Sequence, residues 1–260
     1  MIPDRLLQLT LPAAASVGAM GLMIFLTACS HTVRRPQKRY FLIIHCTVIA
    51  VVLTQYLSRL LEQAPPSLLP FALLIQVFSC LLIPVVPVVF SSVIQGYGRA
   101  RILLPGYGLY AVIVVLSLKY PILFSVDGQG SPVRAWGYGI YILACLISTV
   151  YLIRQVWQTC TAHQHLSRIT VVLLLGFLLI GTAVELFVPG VYTGCVSLSF
   201  SSVFCYLYFT EQQLQQDGLT GLLNHSTYLR RMEDISLGAT LILFDVNKFK
   251  DVNDTCGHLF

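Results

Sequence analysis

Long apolar runs separated by short polar clusters fill the first 209 residues, and the pattern changes abruptly after them. A helix needs about 20 apolar residues to cross the hydrocarbon core of a bilayer. Seven stretches reach that length: 9–29, 41–61, 67–93, 102–123, 136–156, 169–187 and 191–209. Only Pro189-Gly190 separates the last two. Because Gly and Pro mark turns, the pair predicts a tight hairpin between two helices. In the third stretch, Pro84 and Pro87 predict a kink, since proline removes a helical N–H and crowds the preceding turn.

Composition agrees with that pattern. Hydrophobic residues make up 56% of the chain and charged residues 10%, with a mean hydropathy of +0.78, whereas soluble domains carry about 25% charged residues. The charges are unevenly placed: residues 1–209 hold 16 Asp, Glu, Lys and Arg, and the last 51 hold 11. This sets a boundary near Phe209. The net charge of +5 comes mainly from basic residues between apolar runs, so it bears on orientation in a membrane and gives no reason to expect nucleic acid as a partner. Seven of the eight cysteines stand singly in or beside apolar segments, without the paired spacing of zinc or redox sites.

Lys and Arg accumulate on the cytoplasmic side of membrane proteins. With the N-terminus outside, the inner loops hold Arg34, Arg35, Lys38, Arg39, Arg99, Arg101, Arg154 and Arg168, against Arg5, Arg59, Lys119 and Arg134 outside. Everything after Phe209 then lies in the cytoplasm. Leu26-Thr27-Ala28-Cys29 resembles a lipoprotein cleavage box, but cleavage there would strand Arg34 to Arg39 outside, against the charge rule.

Polar side chains within the apolar runs are candidate functional positions. Glu185, Arg59 and Lys119 fall near the outer ends of their runs and offer two readings, a sensing site facing the outside or interfacial side chains whose heads reach water, of which the second is favoured. His45, Gln55 and Gln76 lie deeper and are expected to bond between helices. His163 and His165 have no further ligands nearby in sequence. Trp136, Tyr138, Tyr107 and Tyr110 stand where an aromatic belt would form. No ligand or stimulus is named by these residues.

The tail begins with Thr210 and the run TEQQLQQ, good helix formers that predict a stiff continuation of the last apolar helix over 210–216. DGLTGLLN (217–224) predicts a turn, and Asn224 or Ser226 a cap for a helix through Met232 with Tyr228 and Leu229 on one face. The apolar run ATLILF (239–244) predicts a strand buried on both faces. Ligands of open α/β sheets bind outside the carboxyl ends of strands. Asp245 would stand there, with Lys248 and Lys250 near enough to meet phosphates.

Two segments of this tail, DGLTGLLN and DVNKFKDVNDTCGH (245–258), resemble the entry motif and the first conserved block of GGDEF domains, in the right order and separation. These are the catalytic domains of diguanylate cyclases. The resemblance implies an all-α polytopic membrane bundle of seven transmembrane helices (1–209), a helical connector (210–216) and the truncated start of an α/β GGDEF, nucleotide-cyclase-like domain (217–260). By position it makes Asp245 a ligand of Mg2+ or Mn2+, with the carbonyl of Val246 as a second. Phe249 and Lys250 would meet the triphosphate of GTP, and Asn253 the guanine. Asn247 departs from the commoner second aspartate, a position to which no ligand role is carried over.

The resemblance further implies a multi-pass protein of the bacterial inner membrane that dimerises through its cytoplasmic domain. The 3′-hydroxyl of each of two GTP molecules would attack the α-phosphate of the other, giving cyclic di-GMP and pyrophosphate under control of an unidentified sensory ligand. The Gly-Gly-Asp/Glu-Glu-Phe turn does not occur within these residues. The expectation is therefore a truncated product, inactive by itself, whose tail packs loosely because one strand has no sheet to join. Two alternatives remain beside it: a catalytically silent GGDEF-like receptor, and a seven-span transporter or receptor with an incidental tail.

Overall fold

A computed structural model describes residues 2–30, 33, 35–61, 65–95, 101–126, 132–160, 172, 176–181, 183–184, 188, 193–215, 217, 220, 222–233, 240, 242–245, 247, 250 and 254. The chain divides into two compact units, Met1–Gln213 and Leu214–Phe260. The first is almost entirely helical: α1 (Ile2–Cys29), α2 (Arg35–Leu61), α3 (Leu69–Leu82), α4 (Val85–Gln95), α5 (Leu104–Leu116), α6 (Tyr138–Cys160) and α7 (Gly194–Leu214). Two short strands, β1 (Phe124–Val126) and β2 (Pro132–Arg134), lie between α5 and α6.

Four helical segments are long and apolar enough to cross a membrane: Leu6–Cys29, Arg35–Leu61, Leu69–Ser92 and Tyr138–Gln155. They match the first, second, third and fifth apolar runs. At about 1.5 Å per residue, the 27 residues of α2 extend about 40 Å, beyond the roughly 30 Å of a hydrocarbon core. Their outer faces carry Leu7, Leu11, Phe25, Phe71 and Val150 in the open. That arrangement suits lipid and would be costly in water.

The other runs depart from the pattern for identifiable reasons. The fourth was expected to be helical to residue 123, but α5 stops at Leu116. There the Ser117 hydroxyl donates back to the Ile113 carbonyl at 2.9 Å and accepts the Leu123 N–H at 3.3 Å, which turns the chain ahead of Pro121. Of the sixth run only parts are described, and those at 176–181 are helical, while Glu185, the Pro189-Gly190 pair, His163 and His165 lie outside the described residues. The seventh run is a helix of 21 residues that continues through Thr210 to Leu214. It carries four serines, Ser197, Ser199, Ser201 and Ser202, and is not among the four membrane-length apolar segments.

The expected kink is present in the third run. Helix α3 ends at Leu82 and α4 starts at Val85, with Pro84 between them. Proline 84 has no N–H to give the Cys80 carbonyl one turn earlier. The Tyr110 hydroxyl of α5 donates to that carbonyl at 2.7 Å instead, and the Tyr107 hydroxyl donates to the carbonyl of Leu81. The two tyrosines expected in an aromatic belt therefore close the kink, and Tyr110 is buried.

Helix α2 packs on α1, α3 and α4, while α6 packs on α4. The main core gathers Met20 of α1, Phe41, Ile44, Val48 and Val52 of α2, Phe90 of α4, and Leu198 and Tyr206 of α7. A second core joins Val77 and Cys80 of α3, Tyr110 and Val114 of α5, and Leu123 and Phe124. The hairpin seals the latter: β1 and β2 are antiparallel, with Phe124 opposite Arg134 and Ser125 opposite Val133. Gly137 donates its N–H to Ile122 O at 2.8 Å, and a Cβ there would lie 2.7 Å from the same oxygen, so only glycine allows the approach.

In the second unit, α8 (His225–Glu233) is a regular helix. The strand expected over 239–244 is absent at its described positions. Residues 240 and 242–245 have no regular structure, and Leu243 and Phe244 are 84% and 89% exposed. A strand is held by hydrogen bonds to a neighbouring strand. Among the described residues of this unit there is none.

Candidate functional site

Polar groups inside the first unit line up on one helix pair. The Gln213 amide of α7 donates to the Gln37 amide oxygen of α2. Phe41 meets Tyr206 edge to face, with ring centroids 5.1 Å apart. His45 Nδ1 shares a hydrogen bond with Ser202 Oγ at 2.9 Å, and the Cys195 thiol donates to Gln55 Oε1 at 3.1 Å. As the α2 number rises the α7 number falls, so the two helices run antiparallel along their length. The end of α7 therefore lies level with the basic start of α2. Gln76 of α3 accepts from Ser58 of α2 at 3.0 Å. His45, Gln55 and Gln76 thus all bond between helices, as polar side chains in an apolar bundle do.

The Gln55–Cys195 bond borders a shallow cleft. Leu9, Pro12 and Ala13 of α1, Gln55, Tyr56 and Arg59 of α2, and Cys195 of α7 line it. Gln55 and Arg59 are one helical turn apart and face the same opening. Arg59 is exposed, as its place near a span end predicts, and so is Lys119. Sequence reading did not anticipate the roles of Ser202, Cys195 or the Gln37–Gln213 pair. The serine-rich stretch VSLSFSS (196–202) in an apolar run was the available signal.

In the second unit the polar residues of DGLTGLLN shape a loop. Asp217 Oδ1 accepts both the N–H and the hydroxyl of Thr220 at 2.8 Å. The Asp217 N–H donates to Leu222 O at 2.7 Å. Asn224 works in both directions: its Oδ1 accepts the Thr227 N–H at 2.9 Å and caps α8, while its Nδ2 donates to Leu214 O at 2.6 Å. It satisfies one group left open at each of two helix ends. Of the two caps the sequence offered, Asn224 is the one used.

Asp245 and Lys250 are exposed, and among the described residues no hydrogen bond or ion pair joins them. Asn247 lies in a turn and is exposed. Val246, Lys248, Phe249 and Asn253 lie outside the described residues. Among the described residues no group of three His, Cys, Asp or Glu could hold a metal ion. One exposed carboxylate does not make a magnesium site, which takes several oxygen ligands in near-octahedral order. No family model matches the chain, and no curated protein matches it. The motifs and the geometry therefore carry the functional reading alone.

Proposed function

We propose that this chain is the membrane sensor and the entry segment of a diguanylate cyclase, set in the inner membrane with its N-terminus outside and its tail in the cytoplasm. The observation that carries the reading is the pair of segments DGLTGLLN and DVNKFKDVNDTCGH, in the order and separation of a GGDEF domain. Either segment alone occurs by chance; both together, with an apolar run between them, are specific.

The fold supports the reading in two ways. Asp217, Thr220 and Asn224, the polar positions of the first segment, tie the end of α7 to the start of α8. This explains why a membrane-linked domain would open with those residue types. The antiparallel run of α2 and α7 brings the end of α7 level with Arg35, Lys38 and Arg39, the basic cluster that belongs in the cytoplasm. GTP is available there.

The chain's own residues would act by binding and positioning. By the family pattern, Phe249 and Lys250 would meet the triphosphate and Asn253 would offer an amide to the guanine edge. Asp245 and the Val246 carbonyl are oxygen donors for magnesium or manganese, and they need the second carboxylate of the signature turn to make a site. Control would come through dimerisation: a shift of α7 changes how two cytoplasmic domains meet, without chemistry in the membrane.

The test is GTP turnover by membranes carrying the complete gene product. Cyclic di-GMP should form, and Asp245→Ala should lower the rate by about a hundredfold or more, which corresponds to roughly 3 kcal/mol of transition-state stabilisation. Undiminished turnover in that variant would refute the assignment. GTP binding without turnover would instead favour the catalytically silent receptor.

A further inference from the structure

We propose that the β1–β2 hairpin is a dock for acidic phospholipid headgroups, with Trp136 and Tyr120 lying in the headgroup layer and Lys119 and Arg134 meeting lipid phosphates there. This goes beyond the cyclase reading and rests only on the chain crossing a membrane.

The hairpin is tied down on the bundle. Leu123 is fully buried and Phe124 nearly so, in the core that joins α3 and α5. The Ala135 N–H donates to Leu123 O at 3.0 Å, which with the Gly137 bond to Ile122 clamps the segment between α5 and α6. Its aromatic and basic residues are therefore held near helix ends. Lys119 and Tyr120 follow the last residue of α5, Leu116, by three and four positions, and Arg134 and Trp136 precede the membrane-length segment Tyr138–Gln155 by four and two. Such ends are where hydrocarbon gives way to headgroups.

Exposure and charge then say what covers this surface. Trp136 is 83% exposed, Tyr120 52% and Val133 40%. Left open to water these groups would be costly. In a headgroup layer an indole or a phenol buries an apolar body and keeps a polar tip hydrated. On either side, α5 exposes Val115 and Leu116 and α6 exposes Ile142 and Leu143, so the hairpin borders a lipid-facing surface. Both cations of the segment are exposed, and each lies over a ring: Lys119 Nζ is 5.7 Å from the centroid of Tyr120, and the Arg134 guanidinium carbon is 4.9 Å from that of Tyr138. A ring face directs a cation without cancelling its charge. Segment 117–137 holds these two bases against one acid, Asp127, which lies outside the described residues. An anionic headgroup complements that balance, whereas a zwitterionic one brings a cation of its own. A soluble partner would have to reach Trp136 at the level of the lipid headgroups.

The test uses the full chain with Trp157→Phe, which leaves Trp136 as the single tryptophan, in liposomes whose lipids carry bromine near the carbonyl end or near the methyl end of the acyl chains. Bromine near the carbonyl end should quench Trp136 emission more than bromine near the methyl end, and acrylamide in the water should quench it less than it quenches free tryptophan amide. In mixtures with plain phosphatidylcholine, brominated phosphatidylglycerol should bind beside Trp136 at least about fivefold more strongly than brominated phosphatidylcholine, the equivalent of about 1 kcal/mol for one basic side chain at an anionic surface. Lys119→Gln/Arg134→Gln should remove that preference, and Lys119→Arg/Arg134→Lys should keep it. Salt at about 1 M should weaken the preference in the parent chain without any substitution. Glycerol phosphate in solution at matched ionic strength should not compete, because it has no chain to hold it in the layer, and competition by it overturns the assignment to a lipid. Emission open to acrylamide and indifferent to bromine overturns the placement of the hairpin. Equal quenching by the two brominated lipids in the parent chain overturns the recognition of acidic headgroups.

Discussion

His45 Nδ1 lies 2.9 Å from Ser202 Oγ in the middle of the α2–α7 interface, and the other ring nitrogen of His45 has no hydrogen-bond partner among the described residues. The imidazole is fully buried beside Phe41 and Tyr206. One shared bond thus carries the polar content of a buried ring, which makes the pair sensitive to the loss of either member.

Ser202→Ala should destabilise the bundle by about 1–3 kcal/mol, because it leaves the imidazole with neither nitrogen bonded. His45→Leu combined with Ser202→Ala removes both polar groups and should recover most of that loss. Thermal unfolding in detergent would check it. Equal destabilisation by the single and the double variant would mean that the bond contributes nothing.

The kink at Pro84 gives a second coupled pair. Tyr110→Phe should cost about 1–3 kcal/mol by orphaning the Cys80 carbonyl. With Pro84→Ala already in place, the helix supplies its own N–H to that carbonyl and Tyr110→Phe should cost far less. A double-mutant cycle measured by unfolding separates the two cases, and additive effects would contradict the role given to the tyrosine.

Gly181 marks a close approach of the helical segment 176–181 to α7. A Cβ added there would stand 1.7 Å from Ser197 Oγ and 2.4 Å from Ser197 Cβ. Gly181→Ala should cost about 1–3 kcal/mol by overpacking. Ser197→Gly, which removes both clashing atoms, should relieve it, whereas Ser197→Ala should not. Thermal stability of the three variants decides the matter.

Asn224→Ala should destabilise α8 by about 1 kcal/mol through loss of its cap. Faster amide hydrogen exchange in residues 225–233 is the expected result. Exchange unchanged from that of the parent chain would show that the cap is idle.

How far the sequence could be read depends on where each structure draws its support. The helices at Leu6–Cys29, Arg35–Leu61 and Tyr138–Gln155 follow from apolar length alone, and the break near Pro84 from the missing N–H. These are local causes. The early end of α5 depends on what the Ser117 hydroxyl meets, and the hairpin of β1 and β2 on pairing across a loop, neither of which periodicity records. The strand expected over 239–244 is absent at its described positions for the opposite reason. Its pattern was strong, but an apolar run becomes a strand only beside another strand, and Ile242, Leu243 and Phe244 have none among the described residues. In the candidate site, the bonding of His45 and Gln55 was legible as a type of interaction, while their partners Ser202 and Cys195 were not, since a sequence does not say which helices are neighbours.

The account depends above all on the tail leaving the membrane on the same side as the basic start of α2. An impermeant maleimide applied to intact cells tests this directly, using Gln37→Cys, Asn224→Cys and Ser125→Cys variants against the unsubstituted chain. The prediction is labelling at position 125 in intact cells, and at positions 37 and 224 only after the cells are opened. Labelling of position 224 in intact cells would contradict the account, because it would place the tail away from GTP.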